Sequence, residues 1–143
     1  MPPSMSRHSW MAVSFVAIAV LQVSLGCDRP ARHRVMAGAE TAQDQQTLER
    51  LRTAGSDLSK AHTLQFYLYV PSQQDAKAAA TTLQENDFDT VVKWGADGKN
   101  WLCLAQKTMT PTIENLTEAR QTFKTLATRY RGEYDGWEAA VEP

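Results

Sequence analysis

The sequence contains few of the residues that build disulfide frameworks or metal centres. It has only two cysteines and three histidines among 143 residues. Two cysteines exclude a disulfide framework. A Cys27–Cys103 bridge is possible but disfavoured, since Cys27 ends an apolar N-terminal run, and Cys103 is favoured as a small buried side chain. A metal site needs three or four converging donors, and His62 has no cysteine or carboxylate at ligand spacing. We therefore expect no metal and no cofactor.

The chain also lacks an excess of either charge. Fifteen Lys and Arg residues stand against sixteen Asp and Glu residues. From residue 44 onward there are eleven basic and fourteen acidic residues, so this part is mildly acidic. Such a balance gives no strong electrostatic attraction to nucleic acid.

Motifs of catalysis are missing as well. The sequence has no glycine-rich phosphate loop and no nucleophile elbow. Glu133, Asp135 and Glu138 cluster near the C-terminus, but we expect Asp135 on the face of the last strand opposite to the other two. That arrangement separates a general acid from a general base. We therefore predict a protein that is not an enzyme.

The N-terminus differs in composition from the rest of the chain. Residues 1–9 carry Arg7 and His8, residues 10–25 are almost wholly apolar, and Gly26 precedes Cys27. This pattern is typical of a secretion signal, and a cysteine at the cut resembles the bacterial lipoprotein signal, in which that thiol is lipidated. We predict residues 1–27 as a signal peptide or membrane anchor, Cys27 as the candidate lipidation site, and a domain held at the membrane on its periplasmic side.

Two other interpretations of this segment stay open. It could remain uncleaved as an anchor, and Arg29, Arg32 and Arg34 would then favour a cytoplasmic domain. Translation could instead begin at Met36, which would remove the segment and also leave a cytoplasmic protein. A globomycin-sensitive mass shift of the mature protein would distinguish lipidation of Cys27 from both.

Two regions follow the N-terminal segment. Residues 28–43 mix Arg, Ala, Gly and Gln without a period and favour a linker, whereas residues 44–143 form one predicted domain. In residues 44–54, Leu48 and Leu51 make one apolar stripe, which predicts a short amphipathic helix.

The domain then shows six alternating strand and helix patterns. In residues 64–70 apolar side chains alternate with polar ones, so that Tyr67 and Tyr69 lie opposite the apolar set. A helix follows, capped by Ser72 with Asp75. Strands over residues 88–94 and 101–109 are joined by a turn at 96–99. The next helix has Thr110 as cap and Pro111 at its first position, and a last strand covers residues 134–141.

Strand, helix, strand, strand, helix, strand is the order of a ferredoxin-like α+β sandwich. Two right-handed crossovers joined by a central hairpin predict a four-stranded antiparallel sheet with both helices on one face. The other face stays uncovered, and Tyr67 and Tyr69 are expected on it. The short helix over residues 44–54 is an addition to this core.

An aromatic cluster follows the last predicted helix. Gly132 fits the left-handed position that ends a helix. Gly136 is expected at a bulge or at a point of close backbone approach, since too few residues follow for a hairpin. Tyr134 and Trp137 would then return to the sheet in the last strand.

These residues resemble the RraB family, the regulator of ribonuclease E activity B. The resemblance covers about residues 44–143 and is most specific at Tyr134, Asp135, Gly136 and Trp137. The other matching stretches are residues 66–71, the Ala-rich helix, and the strand from Trp101 to Met109 with Thr110 and Pro111. The resemblance implies a small ferredoxin-like protein that binds the endoribonuclease initiating messenger RNA decay and restrains it by contact rather than by chemistry.

We predict a non-enzymatic protein-binding regulator that acts through the uncovered sheet face and its edges. The candidate binding residues are Tyr67, Tyr69, Tyr134, Asp135 and Trp137. Studied RraB proteins are cytoplasmic, and a lipoprotein outside the inner membrane would not reach a cytoplasmic nuclease. The first alternative is therefore a membrane-anchored periplasmic RraB-like module with a different protein client.

A second alternative is a sheet that binds single-stranded RNA. Tyr67 and Tyr69 could stack bases, as aromatic residues of RNA-recognition sheets do. Only Lys93 and Lys107 lie among the strands to offset phosphate charge, so direct contact with nucleic acid is disfavoured. The tyrosines could also serve only to cover the sheet, packed on each other or under the helix over residues 44–54.

Overall fold

The computed structural model describes the backbone from residue 29 and the side chains from residue 38 to the C-terminus. The predicted signal segment, residues 1–27 with Cys27, lies outside the described residues. Within the described part, no helix is long and apolar enough to cross a membrane.

Three helices and four strands make up this part of the chain. They are α1 (Arg29–Thr53), β1 (His62–Val70), α2 (Gln73–Gln84), β2 (Asp89–Trp94), β3 (Trp101–Met109), α3 (Ile113–Arg129) and β4 (Glu133–Ala139). The strands form one antiparallel sheet in the order β2-β3-β1-β4. The predicted ferredoxin-like α+β arrangement is confirmed.

Alternation along the central strand β1 defines the two faces of the sheet. Leu64, Phe66, Leu68 and Val70 are fully buried, because every second side chain lies on the face that α2 and α3 cover. Cys103 pairs with Leu68 in this core, and its burial raises the pKa of the thiol to about 11. The expected role of Cys103 as a small buried residue is confirmed.

Local signals determine where α2 and α3 begin, with one correction. Ser72 Oγ accepts from the Asp75 N–H at 3.1 Å, as predicted. The cap of α3 is Thr112, whose hydroxyl accepts from the Asn115 N–H at 3.2 Å. The prediction of Thr110 as cap and Pro111 as first helical residue is therefore wrong, because Thr112 already supplies the oxygen that the free N–H groups need.

Helix α1 begins at Arg29 instead of residue 44, so the segment predicted as a linker is helical. Its Arg, Ala, Gln and Glu residues favour a helix individually. They form no apolar stripe, and a search for periodicity therefore misses them. The later part of α1 joins the core, where Leu51 is buried and Leu48 packs against the cluster.

The turn from α3 into β4 uses Arg131 as its left-handed residue. Arg131 has φ +53°, and the Gly132 N–H donates to the Ala127 carbonyl at 2.8 Å, which is the pattern of a Schellman cap. The prediction that Gly132 takes the left-handed position is wrong. Glycine is required there for space, because an added Cβ would lie 2.1 Å from the Tyr69 carbonyl oxygen.

The predicted bulge at Gly136 is confirmed. Gly136 has φ +106°, and it pairs with Tyr67, whereas the next residue of β1, Leu68, pairs with Tyr134. Asp135 is thus the extra residue of the bulge.

Candidate functional site

The sheet face opposite α2 and α3 is uncovered by any described helix, because α1 packs beside α3 and not across the strands. We call it the open face. Its side chains come from all four strands: Thr63, Gln65, Tyr67 and Tyr69 of β1, Leu102, Leu104, Gln106 and Thr108 of β3, Asp89, Val91 and Lys93 of β2, and Glu133, Gly136 and Glu138 of β4.

The centre of the open face is apolar and aromatic. Tyr67 lies opposite Leu104, and Tyr69 opposite Leu102. Val91 continues the row on β2 and is 57% exposed. Both tyrosines are half-buried and neither lies under α1, which leaves their outer surfaces free for contact. Leu102 is itself buried, so the accessible apolar surface comes from Val91 and from the outer sides of Tyr67 and Tyr69. An accessible apolar surface of this kind is typical of an interaction site.

One hydrogen bond positions Tyr67. Its hydroxyl donates to the Glu138 carboxylate of β4 and lies 3.2 Å from the Gln65 side-chain oxygen. The bond to a carboxylate favours the protonated phenol and, with partial desolvation, raises the pKa of Tyr67 to about 12. Tyr67 is therefore a neutral, oriented ring at physiological pH.

Acidic side chains border this apolar centre. Asp89 stands on one side, Glu133 and Glu138 on the other, and all three are exposed. Lys93 is the only cation that the described part of the chain places on the open face. Lys107 lies on the helix side, where its ammonium donates to the Asn86 carbonyl at 2.8 Å. The open face therefore repels a polyanion and attracts a basic surface.

Tyr134 and Trp137 lie on the covered face, not on the open one. Tyr134 stacks on Phe123 with ring centroids 5.3 Å apart. The Trp137 indole N–H donates to an Asp44 oxygen at 2.9 Å. The five predicted residues therefore do not form one site, since only Tyr67 and Tyr69 share the open face.

Asp135 lies on the side opposite to Glu133 and Glu138, as expected. It borders a cleft between α1, α3 and β4 that Trp137 also lines. The bulge is the reason for this arrangement, because five residues of regular strand would have placed Glu133 and Glu138 on opposite faces. The three carboxylates do not converge.

A buried ion pair that sequence reasoning missed holds α1 in place. The Arg120 guanidinium of α3 donates to Asp44 of α1, and both residues are buried. Glu40 accepts from Lys124 and lies 3.6 Å from Arg120 Nε. No local signal could have found a pair separated by most of the domain.

The Tyr134 hydroxyl is buried beside this group and has no hydrogen-bond partner within the described chain. Its burial, and then the nearby Asp44 carboxylate, raise the pKa of Tyr134 far above the usual range. Of the residues described, no group of three or more His, Cys, Asp or Glu side chains is placed to hold a metal ion.

One protein family matches most of this structure. The family described as RraB: Regulator of ribonuclease activity B matches residues 41–139, which include the second half of α1 and the whole sheet. No curated protein matches the chain.

Proposed function

The chain belongs to the RraB family, the regulators of ribonuclease activity B, and from that premise we propose that its open face binds an endoribonuclease and restrains it. Family membership supports a regulator of ribonuclease activity that acts through protein binding. The client we propose is the endoribonuclease that initiates messenger RNA decay. Restraint by contact requires a surface and no reacting group, which the open face provides.

The single observation that carries this proposal is the composition of the open face. Tyr67, Tyr69 and Val91 supply an apolar centre that a partner can bury, which is where most binding energy arises in protein interfaces. Glu133 and Glu138 border that centre with negative charge. An enzyme that binds RNA needs a basic surface for the phosphates. The open face is complementary to such a surface and could compete with RNA for it.

The same charges argue against a sheet that binds RNA itself. Stacking platforms combine aromatic rings with a basic groove along the backbone of the nucleic acid. Here Lys93 is outnumbered by Asp89, Glu133 and Glu138, so each bound phosphate would meet a net negative field. A filter-binding titration with single-stranded RNA should show no salt-sensitive micromolar binding, and such binding would instead support the RNA-binding alternative.

An inhibition assay tests the proposed surface. The full chain is titrated into the purified endoribonuclease while cleavage of an RNA substrate is followed, and saturable inhibition is expected. Replacing Tyr67 and Tyr69 together by Ala should weaken inhibition about tenfold or more, because both rings leave the interface. Tyr130→Ala, a tyrosine removed from the other side of the domain, is the matched control. Equal inhibition by all three proteins would contradict the proposal.

The compartment needs its own test. The alternative proposal takes residues 1–27 as a lipoprotein signal. It excludes the nuclease as client, because lipidation at Cys27 would hold the domain outside the reach of a cytoplasmic enzyme. Crosslinking in cells with the segment intact, followed by identification of the captured proteins, separates the clients. Recovery of the nuclease supports the proposal, and recovery of envelope proteins alone would support a periplasmic module with another client.

A further inference from the structure

Strand β2 is an edge strand, and none of the other described strands pairs with its outer side. In the sheet β2 pairs only with β3. The Gly95 N–H donates to the Asn100 carbonyl at 2.8 Å, so Gly95 directs its backbone groups toward β3. Alternation along an antiparallel strand then directs the N–H and C=O groups of Thr90, Val92 and Trp94 away from the sheet. No strand of the described chain lies against them.

Apolar side chains flank this free edge on both faces. Val91 is 57% exposed on the open face, and Trp94 is 53% exposed on the other. These are the two most exposed large hydrophobic side chains among those described. Edges of natural sheets are usually protected against pairing. An edge with free backbone groups and apolar side chains above and below is suited to accept another strand.

The opposite edge of the sheet is less suited to pairing. Strand β4 is interrupted by the bulge at Asp135 and Gly136, and bulges twist an edge away from regular pairing. The residues after β4 are bonded within the molecule, since the Glu142 carbonyl accepts from the Asp57 N–H at 3.1 Å. The two edges are therefore not equivalent, and β2 is the one that remains available.

We propose that two copies of this chain pair through β2, antiparallel, about a two-fold axis at Val91. Thr90 of one copy then faces Val92 of the other. The N–H and C=O groups that each residue directs away from its own sheet can therefore form hydrogen bonds with those of the other copy. Val91 faces its own equivalent across the axis. Asp89 faces Lys93 of the second copy, and the symmetry repeats this opposite-charge pair on the other side of the axis.

Charge and backbone geometry select this register over its neighbours. A shift by one residue sets outward backbone groups of one strand against inward groups of the other and loses the hydrogen bonds. An axis at Val92 would set Val91 opposite Lys93, and an axis at Thr90 would set Asp89 opposite Val91. Either shift loses the two symmetry-related pairs in which Asp89 of one copy faces Lys93 of the other. Cross-strand pairs of opposite charge stabilise a sheet, whereas like charges oppose it.

The resulting dimer is one continuous sheet of eight strands. A two-fold axis perpendicular to the sheet places both open faces on the same side and both α2 helices on the other. The apolar centres of the two open faces therefore become neighbours, and the acidic strand β4 forms each outer edge. The dimer goes beyond the proposed function, since its formation needs no ribonuclease.

Charge reversal and rescue test the dimer. Sedimentation of the full chain should show a concentration-dependent monomer and dimer. Asp89→Lys alone and Lys93→Asp alone set like charges opposite each other twice and should each weaken dimerisation about tenfold or more. The double variant D89K/K93D restores both opposite-charge pairs and should return dimerisation to within about threefold of the wild type. A wild-type chain that stays monomeric, or a double variant as weak as the single ones, would overturn the proposal.

Cysteine crosslinking tests the register. In a chain carrying Cys27→Ser, Val91→Cys should form a disulfide dimer on mild oxidation, since residues at that kind of antiparallel position have Cα atoms about 4.5 Å apart. Lys93→Cys is the matched control, because its neighbour in the second copy is Asp89. Crosslinking of both variants to the same extent, or of neither, would overturn the axis at Val91.

Discussion

Two neighbouring residues at the end of α3 carry opposite backbone constraints. Arg131 adopts the left-handed conformation at φ +53°, where an L side chain is disfavoured. Gly132 has an unexceptional φ but no room for a side chain, because the Tyr69 carbonyl lies against it. The chain thus places a bulky residue where glycine would be easier and glycine where only glycine fits.

Substitution at these two positions should change stability in opposite directions. Arg131→Gly relieves the left-handed cost and should stabilise the fold by about 1 kcal/mol. Gly132→Ala forces the β1 backbone away and should destabilise it by about 2 kcal/mol or more. Urea unfolding monitored by circular dichroism measures both as shifts of the midpoint. A Gly132→Ala protein as stable as the wild type would refute the argument from close approach.

Tyr67 predicts a pH dependence at the alkaline end. Its pKa is raised to about 12 from an unfolded value of about 10, so the neutral phenol is favoured by folding. The stability from this bond is present below pH 10 and is lost as the pH rises through 12. The loss between these pH values should be smaller in Tyr67→Phe than in the wild type, by denaturant unfolding at each pH.

Glu138→Gln checks the cause of that shift. A neutral amide is a weaker acceptor and carries no charge to oppose ionisation of the phenol, so the pKa of Tyr67 should fall toward its ordinary value. A titration of tyrosinate absorbance, compared with Tyr67→Phe to identify the signal, measures it. An unchanged pKa in the Gln variant would mean that the Glu138 carboxylate is not the cause.

At the scale of elements, α1 is attached to the domain mainly through polar contacts. Asp44 accepts from both Arg120 and Trp137, and Leu48 and Leu51 add apolar contacts. A buried charge is costly unless it is paired. Docking of α1 is therefore sensitive to the loss of either partner in the pair.

Removing one residue of the Asp44–Arg120 ion pair should lower the free energy of unfolding more than replacing both residues by apolar ones. Asp44→Ala removes the closer of the two carboxylates beside the buried Arg120, leaving the Glu40 contact at 3.6 Å, and should destabilise the domain by about 3 kcal/mol. Asp44→Leu combined with Arg120→Met removes both charges and should recover most of that loss. Urea unfolding of the two variants measures the difference. If the double replacement were as unstable as Asp44→Ala, the unpaired charge would not be the reason.

At the scale of the whole molecule, the two faces of the sheet have different roles. One face is filled by helices and carries the stability of the domain. The other is left uncovered, with an apolar row inside an acidic border, and it carries the proposed contact with a ribonuclease. Because the charges lie at the border, they act on the approach of a partner more than on the final affinity.

The rate of association with the nuclease should therefore depend on the salt concentration and on the sign of the charges that border the open face. Glu133→Lys should slow binding to the nuclease about tenfold at low salt, and the difference should shrink as added salt screens the charges. Surface plasmon resonance at several salt concentrations measures it. Glu118→Lys, an exposed substitution on α3, is the control, and an equal effect there would exclude a role for the position of the charge.

The order of elements was predictable from the sequence because each signal is local. Alternation along β1 placed Tyr67 and Tyr69 away from the core, and the Ser72 cap marked the start of α2. Gly136 marked the bulge. The start of α1 was missed because residues 29–43 show no apolar periodicity in the sequence. Two of the five candidate residues, Tyr67 and Tyr69, were placed on the open face by these patterns alone.

The sequence by itself thus determined the order of strands and helices from β1 onward and the fold class, since alternation and capping depend on residues a few positions apart. Only the tertiary structure decided that Tyr134 and Trp137 face the helices, that Asp44 pairs with Arg120, and that Val91 and Trp94 remain exposed at one edge. These features depend on which distant residues come together when the layers pack. That arrangement is a property of the whole core, and no short stretch of sequence carries it.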